Sequence, residues 1–130
     1  MKQFQFLLCM VLLLVLPNVS AQQNVILPKP QSVVFTGGQF SLPSDWAVYH
    51  KNAKATASYL SAALEDRFEM NTSSKWFRNS ATVVLVNSKK DASSEAYTLV
   101  IDRRRVRIEA ASEKGLFYGV QSLLQLIRAA

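Results

Sequence analysis

The chain is poor in cysteine, histidine and glycine, and each shortage closes off a class of chemistry. Its single cysteine, Cys9, lies inside an apolar run near the N-terminus. Everything beyond that run lacks a thiol, so a disulfide scaffold and cysteine catalysis are both excluded and the fold must rest on an ordinary apolar core. The single histidine, His50, has no second histidine or cysteine to complete a zinc shell and no serine at a helpful spacing for a triad; it reads as a solvent-facing residue at a strand end. Of four glycines, Gly37-Gly38 lacks the further glycines and following helix of a phosphate-binding loop and reads as a tight turn. No metal and no cofactor are implied.

Charge is present but mild, at +6. Arg103, Arg104, Arg105 and Arg107 gather round one predicted turn without an array of stacking aromatics, so nucleic acid is not an expected partner. Glu65, Asp66 and Glu69 share a hydrated helix flank and read as a solvated face rather than a glycosidase pair.

Long apolar runs are also scarce. The one at Phe6–Leu16 follows Lys2 and is broken by Pro17. It is too short to cross a bilayer but suits a secretory leader, and small residues at Val19 and Ala21 place cleavage between Ala21 and Gln22. The expected organisation is a signal peptide over 1–21 and one domain over 22–130. That makes an exported product, periplasmic, cell-surface or extracellular, with no stable membrane anchor.

Past the leader, the prolines of Pro28-Lys29-Pro30 set an extended lead-in. Ser32–Phe35 and Gln39–Leu42 flank the glycine turn and predict a strand pair, and Trp46–His50 a further strand. Asn52 is the expected N-cap of a helix over 53–70, and the polar stretch 71–80 is expected to be a loop. Ala81–Val86, a continuous apolar run, predicts a central strand covered on both faces. Glu95–Ile101 and Arg105–Ala110 predict a hairpin with matched apolar faces.

A closing helix follows, with Ser112 as N-cap, Glu113 in its first turn, and an apolar stripe of Leu116, Val120, Leu123, Leu124 and Ile127. The fold class is therefore α/β of the α+β type: a mixed, largely antiparallel sheet of about five or six strands layered with two helices. Gly115, Gly119 and Ser122 recur on one side of that helix. Each glycine is about 1 kcal/mol worse than alanine in a helix, so a backbone must approach closely there. Two candidates for it are this domain's own sheet and a neighbouring domain, which makes these three residues a candidate interdomain packing surface.

Three strings carry a family resemblance. Ile26-Leu27-Pro28-Lys29-Pro30-Gln31 resembles an opening Ile/Val-Pro-x-Pro segment, and Glu95-Ala96-Tyr97-Thr98-Leu99 a Glu-x-Tyr-x-Leu strand. Val106-x-Ile108-x-Ala110-Ala111, followed by Gly115-Leu116-Phe117-Tyr118-Gly119-Val120-Gln121-Ser122-Leu123-Leu124-Gln125-Leu126, is similar to a signature with threonine where Ser122 stands. Together they resemble the non-catalytic N-terminal domain of bacterial β-N-acetylhexosaminidases of glycoside hydrolase family 20, over about residues 25–128.

The resemblance implies an enzyme that removes terminal N-acetylhexosamine from glycans, with the substrate's acetamido oxygen as nucleophile. Its aspartate and glutamate would lie in a following (β/α)8 barrel, in a His-x-Gly-Gly-Asp-Glu string that this chain lacks. No catalytic or substrate-binding residue is carried over, and the chain alone is expected to be inactive. It is expected to be the accessory domain, separated from its barrel as a fragment or free-standing, with the exposed side of the closing helix or its small-residue stripe as the surface for the barrel. Alternatives are a secreted glycan-binding module using the arginine hairpin or Trp76, and the same domain from a hyaluronidase-like or glucuronidase-like enzyme.

Overall fold

A computed structural model of the protein describes Ile26 and residues 29–130. The leader, its cleavage position at Ala21 and Gln22, and Leu27-Pro28 of the Ile-Leu-Pro-Lys-Pro string lie outside the described residues. The elements run β1 (Asp45–Lys51), α1 (Lys54–Phe68), β2 (Asn71–Ser74), a 3-10 turn (Arg78–Ser80), β3 (Val83–Asn87), β4 (Tyr97–Ile101), β5 (Val106–Ala110) and α2 (Glu113–Ala129). The strands form one five-stranded sheet in the order β2-β1-β3-β5-β4. A mixed sheet of about this size with two helices matches the expected class.

The balance of pairings does not. β1–β2, β1–β3 and β3–β5 are parallel, and only the β4–β5 hairpin is antiparallel. The physical reason is the connections: α1 carries the chain from β1 back to the start of β2, and the hairpin excursion through β4 returns it so that β5 lies parallel to β3. The expected strand pair around Gly37-Gly38 is absent, since residues 32–42 have no strand pairing. Gly37 does take the left-handed conformation, with φ 74°. Instead of pairing, the segment docks through Phe40, whose ring lies 6.0 Å from that of Trp46.

Asn52 is not the N-cap of α1. It adopts φ 55° itself and its side chain donates to Asn87 O at 3.4 Å, leaving Ala53 at the cap position with no side-chain acceptor. The loop expected over 71–80 begins as β2, a polar edge strand.

β3 is central, and Val83, Val84 and Leu85 are fully buried. The register places Val48 beside Val83, Leu85 beside Ile108, and Ile108 beside Leu99. These residues share one face with Trp46, Val106 and Ala110, and that face meets the buried side of both helices: Leu60, Ala63 and Leu64 of α1, and Leu116, Val120, Leu123 and Ile127 of α2. Fully burying each of the larger side chains contributes roughly 1.5–3 kcal/mol. The opposite face aligns Tyr49 with Val84, Arg107 and Val100, and Val86 with Glu109 and Thr98. Arg107 Nε donates to Glu109 Oε1 at 2.7 Å there.

Candidate functional site

Three features could carry function: the acidic side chains, the small-residue stripe and the outer surface of the helix pair. Among the described residues, no three His, Cys, Asp or Glu side chains converge as metal ligands. His50 is exposed at the end of β1, as read from sequence. Glu65, Asp66 and Glu69 are exposed on α1; Glu65 Oε1 accepts from Thr72 Oγ1, and Glu69 closes the helix in a left-handed conformation with φ 54°. A cleft of about 790 Å³ opens between the lead-in, β4 and the end of α2, walled by apolar residues such as Val33, Phe35, Phe40, Leu99 and Leu126. Asp102 is the only acid among its lining residues, and its Oδ1 accepts from the backbone N of Arg104 and Arg105 at 2.8 and 2.9 Å. It has no second carboxylate to work with.

Glu113 is the acid with the most elaborate surroundings. Its Oε1 accepts from Thr56 N at 3.1 Å and from Thr56 Oγ1 at 2.5 Å, and its Oε2 from Asn87 Nδ2 at 3.2 Å. Thr56 lies in the first turn of α1, so this carboxylate occupies the role that an N-cap side chain would fill, supplied from another helix. Sequence reading placed Glu113 in the first turn of its own helix, where it also suits the dipole. No local sequence signal could have exposed its second role, because Asn52 reads as a cap and the Thr56–Glu113 contact spans 57 positions. Ser112 caps α2 as expected, accepting from Gly115 N at 2.9 Å.

The small-residue stripe faces this domain's own sheet. A Cβ on Gly115 would stand 2.5 Å from Ala96 O and 3.2 Å from Ala110 Cβ; one on Gly119 would stand 2.4 Å from Ile108 Cγ2 and 3.1 Å from the Tyr97 ring. Ser122 Oγ and Tyr97 Oη are hydrogen-bonded at 2.6 Å. All three stripe residues are buried against β4 and β5. What needs the space is internal, backbone at Gly115 but the side chains of Ile108 and Tyr97 at Gly119, so Gly115, Gly119 and Ser122, read as a candidate interdomain surface, are occupied by this domain's own sheet.

The outer surface of the helix pair is different. Phe117 and Tyr118 are each 38% exposed on α2. The Phe117 ring lies 5.1 Å from that of Tyr59 on α1 and 6.2 Å from that of Tyr118. Gln121 Nε2 donates to Tyr59 Oη at 2.8 Å, tying the two helices across this surface. The result is a partly exposed aromatic patch held between the two helices.

These features, a five-stranded sheet with both helices on one face and a glycine-spaced closing helix, coincide with a known family. Residues 23–130 match the model of glycosyl hydrolase family 20, domain 2. The chain belongs to that family.

Among relatives of the family 20 domain, a β-hexosaminidase of Vibrio furnissii is 29% identical over 115 residues, covering 87% of this chain. The chain spans 18% of that relative's length. A family 20 exo-β-N-acetylglucosaminidase of Vibrio harveyi, solved in complex with N-acetylglucosamine, superposes with a TM-score of 0.67 at 26% identity, over 78% of this chain and 16% of its own. The β-N-acetylhexosaminidase of Bacteroides fragilis shares the fold, with a TM-score of 0.64 at 19% identity over 78% of this chain and 20% of its own. The family 20 domain is thus an accessory domain of β-hexosaminidases, and it is this domain that the chain aligns with.

Proposed function

We propose that the chain serves as the accessory domain of an exported β-N-acetylhexosaminidase, scaffolding a (β/α)8 catalytic barrel that removes terminal N-acetylhexosamine from glycans. The observation that carries the reading is the extent of the family match: residues 23–130 correspond to domain 2. Export rests on the leader pattern of residues 1–21. The aromatic patch of Tyr59, Phe117 and Tyr118 is the surface for the barrel, because it is the exposed side of the helix pair and the small-residue stripe is already occupied.

Sequencing the source DNA past the codon for Ala130 tests this reading. The expected result is a family 20 catalytic domain in the same frame or one shift away; unrelated sequence in all frames overturns it. In parallel, the chain itself should release no nitrophenol from a nitrophenyl N-acetyl-β-glucosaminide, and turnover by the purified chain would contradict the accessory role.

A further inference from the structure

The connection from β2 to β3 leaves two neighbouring aromatic side chains almost wholly in solvent: Trp76 is 92% exposed and Phe77 77%. Both ends of this segment are fixed. Lys75 N donates to Val48 O and Thr82 N to Ala47 O, each at 2.8 Å, and between them Ser80 N and Oγ donate to Phe77 O at 3.2 and 2.9 Å. Arg105, on the turn between β4 and β5, reaches across and donates from Nη2 to Asn79 O at 3.1 Å. The segment that carries the aromatic pair and the arginine turn, remote in sequence, are therefore tied together through Arg105 and Asn79.

The surface around this tie is cationic and uncompensated. Lys75 and Arg78 flank the aromatics in sequence, and Arg104 and Arg105 stand on the turn, while the Arg103 side chain lies instead against Gly38. Among the described residues the ion pairs are Arg107–Glu109 and Lys114–Glu95, so none of Lys75, Arg78, Arg104 and Arg105 has a carboxylate partner. Asp102, the acid of the turn, spends an oxygen on the amides of Arg104 and Arg105.

We propose that this surface binds a polyanionic glycan, a polysaccharide bearing carboxylates along its length. The indole and phenyl faces would cover sugar rings, and the guanidinium and ammonium groups would meet the carboxylates. A protein partner fits less well, because the cores of protein interfaces are depleted of charge and here cations stand directly on either side of the aromatics. A lipid surface fits less well too, because a ridge pinned at both ends lacks the long apolar face that an interfacial helix submerges.

The test is isothermal titration of the full chain with polygalacturonate, with neutral hydroxyethyl cellulose and anionic phospholipid vesicles as comparisons. Binding is expected to polygalacturonate alone, weakening with added salt. Trp76→Ala should weaken it about tenfold or more, on the scale of losing one buried aromatic, and Arg78→Gln and Arg104→Gln about threefold each. Because Trp76 makes almost no internal packing, unchanged circular dichroism should accompany its loss, and a Phe117→Ser chain should bind like the parent. Absence of binding, equal binding by Trp76→Ala, equal affinity for the neutral polymer, or Trp76-dependent binding to vesicles in place of polysaccharide would each overturn the proposal. It shares no residue with the barrel-facing patch, so the two tests fail separately.

Discussion

A methyl group is the smallest change that distinguishes the glycines of this chain. At Gly115 it would meet a backbone oxygen at 2.5 Å, which cannot move without disturbing β4. The Gly115→Ala chain should lose about 1–3 kcal/mol by urea unfolding, the overpacking penalty exceeding a helix-propensity gain of about 1 kcal/mol. At Gly38 the nearest neighbour is the flexible Arg103 side chain at 3.7 Å, so Gly38→Ala should stay within about 0.5 kcal/mol of the parent. Trp46 offers a second contrast: it is fully buried, yet its Nε1 has no hydrogen-bond partner. Trp46→Phe removes volume and an unsatisfied donor together, and these oppose each other, so the expected loss is below about 1.5 kcal/mol. At Asp91, hydrogen bonds from the Ser93 hydroxyl and amide hold the carboxyl below its ordinary value of 3.8. A lowered folded-state value means that whatever stability this turn contributes is complete above pH 3.8 and fades as pH falls through the lower one. A carbon-13 titration of Asp91 should show its midpoint under 3.8.

Helices α1 and α2 share an acid, and their stabilities should be linked through it. Glu113→Ala removes the carboxylate that accepts from Thr56 at the start of α1 and leaves Thr56 and Asn87 short of a partner. The expected loss is about 1–3 kcal/mol, with amide exchange at residues 54–57 accelerating more than in the middle of α2. What sequence reveals about the elements follows from where the information resides. The closing helix and the β4–β5 hairpin were legible because apolar spacing, the Ser112 cap and alternation at Tyr97, Leu99, Val106 and Ile108 all act locally. β2 was not, because Asn-Thr-Ser-Ser has no apolar alternation and is a strand only by backbone pairing with β1. The parallel sense of β1, β3 and β5 was equally hidden, since buried strands of either sense read as short apolar runs. The cap from Glu113 spans 57 positions, beyond any local motif. The site was legible only in part: the small stripe announced a close approach without saying to what, and the contact of Arg105 with Asn79 depends on a strand order that no pattern in the chain encodes.

Across the whole molecule, one side of the helix pair holds the core and the other shows aromatic rings to solvent. A domain that lacks a cover for such a patch should self-associate weakly. Sedimentation is expected to show concentration-dependent growth in mass for the parent chain and a monomer for the double variant Phe117→Ser with Tyr118→Ser; a parent that stays monomeric at all concentrations would count against a docking role for the patch. The two tryptophans give an independent reading of the same architecture: Trp46 should resist iodide quenching and Trp76 should not, so Trp76→Ala should abolish most of the quenchable emission.

The cap that Glu113 places on α1 also bears on how the molecule is made. A ribosome delivers β1, α1 and β3 first, but β3 must wait for β5 to pair on its far side, β5 is preceded by the hairpin through β4, and α1 lacks its terminal acceptor until residue 113 has emerged. Assembly of this domain therefore waits for α2, whose first residue completes α1. Nascent chains halted before Ser112 should be protease-sensitive throughout the domain, with resistance appearing only once α2 has emerged.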